Sequence, residues 1–193
     1  FLAANGEFPF RSIHWQLDAD LASDSGGRAF ASWVDRSYNP GIRALIGDWV
    51  GRMEEEGVVP RWYPFIDPME DLLTGRESPL RCGAGHANFT IMTDGSIGPC
   101  PCMVGMKDFY LGHIASSDPR GLIGRTETGS FCAGCTIRPF CGGRCLYARI
   151  LHPWPEDLQR VVCGTVENLH RGLSRALPRV RDLIQEGTIE WRD

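Results

Sequence analysis

Eight cysteines fall between positions 82 and 163: Cys82, Cys100, Cys102, Cys132, Cys135, Cys141, Cys145 and Cys163. Residues 1–81 and 164–193 contain none. Thiols gathered in this way support three chemistries. A disulfide framework suits small secreted chains with thin cores. Here the cysteines occupy only the middle of 193 residues, and no basic stretch followed by an apolar one opens the sequence. Structural zinc is the second chemistry. Cys132-x2-Cys135 and Cys141-x3-Cys145 are both half-sites for a tetrahedral ion held by four thiolates. That use leaves four cysteines over. Iron–sulfur chemistry is the third: a cubane cluster takes four thiolates, and eight cysteines close two clusters.

The spacing reads Cys82-x12-Gly95-x4-Cys100, then Cys132-x2-Cys135-x5-Cys141-x3-Cys145, then Cys163. This order resembles the SPASM domain, the C-terminal extension of many peptide-modifying radical S-adenosylmethionine enzymes. The likeness covers Cys82 to Cys163 and includes Cys82-Gly83-Ala84-Gly85, Asp94-Gly95, Gly112-His113-Ile114 and Cys141-Gly142-Gly143-Arg144-Cys145. A lone Cys-x2-Cys would carry little; seven cysteines and a glycine in register carry much more.

The resemblance implies two auxiliary 4Fe–4S clusters. Cys82, Cys100 and Cys145 are expected on the first, and Cys132, Cys135, Cys141 and Cys163 on the second. Cys102 is the remaining cysteine: the fourth ligand of the first cluster, or a thiol with no metal. One departure bears on the reaction. The anaerobic sulfatase-maturating members place an aspartate base just after the second pattern cysteine, and this chain has Pro101 there. Formylglycine formation is therefore not carried over. Thioether formation, carbon–carbon cross-linking and other peptide maturation stay open.

The family's radical chemistry also needs a Cys-x3-Cys-x2-Cys motif, which this sequence lacks. The chain, which begins at Phe1, is expected to be the C-terminal part of a longer enzyme and inactive alone. S-adenosylmethionine and a third 4Fe–4S cluster would belong to the full-length parent. The implied partners are a peptide or protein substrate, the missing N-terminal barrel portion, and an electron donor such as a flavodoxin or ferredoxin. Oxygen-labile clusters imply a reducing cytoplasm.

Composition bounds the rest. A formal net charge of −4 gives no electrostatic case for nucleic acid. No apolar run approaches the roughly 20 residues that span a membrane. Hydrophobic residues at 42% allow a packed core, while 23 glycines and 13 prolines point to much loop.

The elements that must position the cysteines follow from periodicity. Ile13, Trp15 and Leu17 alternate with His14, Gln16 and Asp18, the period of a strand with one polar face. In a parallel barrel that face would place Gln16 and Asp18 toward a cofactor or substrate; in a half-exposed strand it would face water. Phe30, Trp33 and Val34 suggest a short helix. Asn39 and Pro40 predict a helix start. Ile42, Leu45, Ile46, Trp49, Val50 and Met53 form its apolar stripe, and Gly57 its stop. Residues 58–66 read as a second strand, and Met69 to Leu73 as a helical turn.

Residues 88–100 read as a hairpin with a two-residue Asp94-Gly95 turn of type I′, which would return Cys100 beside Cys82. His86 and His113 are conceivable iron ligands, but a lone histidine is more simply a loop or strand residue. Gly134, Gly142 and Gly143 would let backbone amides approach cluster sulfurs. Pro155 with Glu156 and Asp157 opens a helical tail, expected to break at Pro178.

The expected fold is α+β: residues 1–79 as the last strands of a partial (β/α) barrel, and 80–193 as a loop-rich SPASM domain with a hairpin, a cysteine knot and C-terminal helices. The expected function is a peptide-modifying radical S-adenosylmethionine oxidoreductase whose auxiliary clusters carry electrons or seat the substrate. A zinc-binding interaction module and a stand-alone iron–sulfur electron carrier are the alternatives.

Overall fold

The computed structural model describes residues 11–17, 27–126, 132–150 and 155–191. The chain is α+β: helices with one small antiparallel sheet. It divides into two units. The first comprises residues 1–18, 27–76 and 161–193; the second comprises 19–26 and 77–160.

In the first unit, helix α1 (Gly27–Trp33) runs through a π-helical turn at Val34–Tyr38 into α2 (Asn39–Glu56). The α-helix starts at Asn39 as expected, but Asn39 is not a capping residue, because the chain is already helical before it. Asn39 has helical dihedrals, and its N–H donates to the Val34 carbonyl five residues back. Pro40 lacks an N–H and its ring crowds the carbonyl four residues earlier. The wide turn just before it loosens the ladder where the proline would clash. The stripe itself buries Ile42, Ile46, Trp49 and Met53, and Gly57 ends the helix in the left-handed region at φ +68°.

The second strand reading is also corrected. Residues from Tyr63 onward form helix α3 (Tyr63–Thr74), not a strand. Pro64 sits in its first turn, where a missing N–H costs nothing, and Gly75 caps its end at φ +71°. Phe65 and Met69, four apart, face the core, which a strand could not arrange. What survives of the expected strand pair is one parallel bridge, Ile13 to Trp62. Its bonds are Ile13 N–H to Arg61 O (2.9 Å) and Tyr63 N–H to Ile13 O (3.0 Å).

The long helix α6 (Glu156–Gln185) is unbroken at Pro178, contrary to the expected break. The apolar positions Val180 and Leu183 beyond the proline are fully buried, and that burial offsets the roughly 3 kcal/mol a helical proline costs. Helices α2 and α6 approach closely at Gly172, where an added Cβ would stand 2.5 Å from Ile46 Cδ1. Buried Asn168 on α6 receives Arg43 Nη1 (2.6 Å) and donates to the Asn39 carbonyl (3.1 Å). Trp49 is central: its ring meets Phe65 at 5.6 Å and Trp191 at 6.0 Å, and its Nε1 donates to the Pro60 carbonyl.

The second unit holds strands β1 (Thr90–Ile91), β2 (Ser96–Gly98) and β3 (Gly112–His113), in that spatial order and antiparallel. Thr90 pairs with Gly98, and Ser96 with His113. The β1–β2 turn is not the expected two-residue type I′. Gly95 N–H donates to Met92 O and Met92 N–H to Ser96 O, both 2.9 Å. Type I′ needs positive φ at two successive residues. Gly95 has it (φ +89°) and Asp94 does not. The loop is thus three residues closed by a left-handed glycine, and Asp94 caps it by accepting from Ser96 N–H (2.9 Å). Short helices α4 (Arg138–Cys141) and α5 (Leu146–Ile150) follow. The small core of the unit is Leu80, Ala84, Met103 and Leu146, with Cys100, Phe109 and Ile150 against it.

Candidate metal centre

Three pieces of backbone bring Cys82, Cys100 and Cys102 together. Gly83 and Gly85, both left-handed, fold residues 82–88 into a tight loop. Asn88 Nδ2 donates to the Cys82 carbonyl and fixes the loop's start. The Gly85 N–H is shared between Asn88 O (3.0 Å) and Pro99 O (3.1 Å), which ties the loop to the returning arm of the hairpin just before Cys100. A single 3-10 turn, Pro101–Met103, then carries Cys102, anchored by fully buried Met103.

The electrostatics follow from that arrangement. The half-buried Cys100 thiol is pushed up to about 11, first by burial, with the neighbouring sulfurs of Cys102 and Cys82 adding to the effect. A hydrogen bond from the Cys102 backbone N–H pulls the other way. Thiols this close cannot all ionise side by side without a cation to offset their charge. None of the eight cysteines is in a disulfide.

The second group is built on the knot. Cys135 N–H donates to Cys132 O (3.3 Å) and Arg138 N–H to Cys135 O (3.1 Å), so the Cys132-x2-Cys135 loop is one compact turn leading into α4. Cys132 is buried and Cys135 exposed. Cys141 ends α4, and the chain then takes three successive left-handed residues: Gly142 (φ +64°), Gly143 (φ +97°) and Arg144 (φ +67°). Cys145 follows at the start of α5. An α-helix would have stacked residues four apart on one face; this reversal takes Cys145 off that course.

The strand of chain before Cys82 is braced against the same knot. Ser78 N–H donates to Pro139 O at 2.7 Å. The Arg81 guanidinium lies over the Phe140 ring, 4.4 Å from its centre. A Cβ on Gly142 would stand 2.6 Å from the Pro79 and Ser78 carbonyl oxygens, so only glycine allows this approach. Sequence reading missed this brace. Its signal was positional: Arg81 adjoins Cys82, and Phe140 adjoins Cys141.

Cys163 is half-buried on α6, in the first unit, within an uninterrupted helix. Among the described residues, no three His, Cys, Asp or Glu side chains gather as a metal-holding set. By donor chemistry the site nevertheless fits a thiolate-held group: eight unbridged thiols, with Cys100 in electrostatic reach of Cys82 and Cys102. The two histidines offer less. His113 Nε2 meets the Asp94 carbonyl (2.8 Å) and its Nδ1 accepts from Ala115 N–H (3.1 Å), so both ring nitrogens serve the hairpin. His86 is a half-buried loop residue. Gln16 is exposed and bonds His14 at 3.2 Å. Asp18 lies outside the described residues.

A pocket of about 440 Å³ opens beside the first cysteine group, lined by Pro99, Met103, Phe109, Leu146, Ile150 and Arg125 among others. No described helix is long and apolar enough to cross a membrane. No family model matches this chain, and no curated protein or solved structure matches it either.

Proposed function

We propose that this chain is the auxiliary-cluster part of a radical S-adenosylmethionine enzyme acting on a peptide or protein, with a SPASM-type domain following the end of a partial barrel. The observation that carries the reading is the register of seven cysteines and Gly95. Its geometric support is the Gly85 to Pro99 bond, which sets Cys82 and Cys100 in one neighbourhood. The single Ile13–Trp62 bridge is parallel, as a crossover through α2 requires.

The residues then take these roles. Cys82, Cys100, Cys145 and Cys102 hold the first cluster; Cys132, Cys135, Cys141 and Cys163 hold the second. Bound 4Fe–4S clusters would supply one-electron transfer, from a donor such as a flavodoxin or ferredoxin. The Cys102 N–H bonded to the Cys100 sulfur spreads charge off a ligand atom. Met103, Leu146 and Leu80 exclude water behind it. The sequence has no Cys-x3-Cys-x2-Cys motif, so cleavage of S-adenosylmethionine is not assigned to its residues.

The second reading is a structural zinc module, favoured by the compact Cys132–Cys135 turn. Cysteine variants separate the two. Cys82→Ser and Cys132→Ser, purified without oxygen, should each lose about half the iron, about four atoms, while retaining the other cluster's. Cys102→Ala tests the fourth ligand by the same count. Iron content unchanged by both serine variants would refute the ligand division.

A further inference from the structure

Arg144 is the one non-glycine residue at positive φ among the described residues. Its position makes this informative. The chain supplies glycine at the two preceding left-handed positions, Gly142 and Gly143, and then arginine at the third. Glycine would adopt φ +67° without crowding its own carbonyl; a residue with a Cβ cannot. Such an outlier persists where the surroundings hold it in place, and such positions cluster at functional sites.

The turn that holds it is well tied. Arg144 N–H donates to Cys141 O (3.2 Å), Cys145 N–H to Gly143 O (2.9 Å), and Arg149 Nε reaches the Gly143 carbonyl at 3.5 Å. The backbone between Cys141 and Cys145 is thereby fixed whatever residue stands at 144. Arg144 is half-buried and adjoins Cys145 in the chain, so its permanent positive charge is tethered within a side chain's length of a proposed ligand thiolate. A cluster with four thiolates is a net anion, and accepting an electron adds to that charge. A nearby cation favours the reduced form and raises the reduction potential.

Resting on the cluster reading above, we infer that Arg144 is a charge-tuning residue: the left-handed strain is retained so that a guanidinium stands beside the Cys141–Cys145 turn and raises the potential of the cluster bound there. A merely structural residue at this position would be better as glycine.

The test is a potentiometric titration, followed by electron paramagnetic resonance, of the iron-loaded full chain and of Arg144→Gly, Arg144→Gln and Arg144→Lys. Gly and Gln should retain iron and shift one cluster to lower potential, and Lys should stay near the parent value. The metal-free Arg144→Gly protein should melt at a higher temperature than the parent, since the strain is gone. If only the two neutral variants fail to hold iron, the charge serves cluster binding and not its potential, and the inference is overturned. Unchanged potentials in Gly and Gln, an equal shift in Lys, or loss of iron in all three variants would overturn it. A parent chain that takes up no iron under anaerobic reconstitution would sink the cluster reading itself, independently of residue 144, and this inference with it.

Discussion

Gly142→Ala should be the most damaging single methyl group that can be added to the cysteine knot. The residue holds φ +64°, a conformation that costs a residue with a Cβ about 1–2 kcal/mol. The new Cβ would also stand 2.6 Å from the Pro79 and Ser78 carbonyl oxygens, and backbone on that side has no flexible end to move. Overpacking of this kind costs about 1–3 kcal/mol. Relieving it by sliding residues 78–80 away breaks the Ser78 N–H to Pro139 O bond, worth about 0.5–1.5 kcal/mol. Because relaxation trades one cost for another, about 2–4 kcal/mol in all is expected. Two other glycines calibrate the measurement. Gly134 is left-handed at φ +78° with open space around its Cβ position, so Gly134→Ala should show the conformational cost alone, about 1–2 kcal/mol. Gly164 lies within α6 with nothing near its Cβ position, so Gly164→Ala should stabilise by up to about 1 kcal/mol. Urea unfolding of the metal-free proteins gives the order. On the cluster reading, Gly142→Ala should also take up less iron, because the shift moves the segment leading into Cys82 off the knot. A Gly142→Ala protein no less stable than Gly134→Ala would refute the brace.

Two further expectations concern the supports of the site. The Asp94 carboxyl is held below its ordinary value, chiefly by the Ser96 N–H and then by other contacts that include His113. A depressed folded value adds stability above the unfolded carboxylate pKa, about 3.9, and that stability is lost as pH falls through the folded value. The unfolding midpoint of the parent should therefore fall more steeply than that of Asp94→Asn as pH drops below about 4; parallel curves would contradict this. Asn168→Ala removes a buried side chain bonded to both Arg43 and the Asn39 carbonyl, and should cost about 2 kcal/mol in a urea titration; a cost under about 0.5 kcal/mol would show the pair is idle.

What the sequence made legible was local. Asp94-Gly95 announced a hairpin, because only a glycine closes such a loop cheaply, although the turn has three residues and not two. The stripe from Ile42 to Met53 announced α2, since its residues recur at helical spacing. Residues 58–66 misled because Val58, Val59, Trp62 and Tyr63 suit strands by composition, while Pro64 and Gly75, which bracket α3, give the better signal. Proline weighed too heavily at position 178, and at 40 it marked the first turn of the α-helix but not the helical chain before it. In one case buried neighbours carry the helix through, and in the other a π-helical turn does. A grouping of the cysteines is implied by the resemblance, but the brace of Ser78, Arg81 and Phe140 could not be read from the sequence. It depends on which backbone lies across the knot, and no period along the chain records that.

The most direct measurement is the iron, acid-labile sulfide and zinc content of the chain purified and reconstituted without oxygen, with its absorption spectrum. Two four-iron clusters predict about eight irons per chain, matching sulfide and a broad band near about 400 nm. One or two zinc ions with no sulfide would contradict the cluster reading and leave a structural thiolate module in its place.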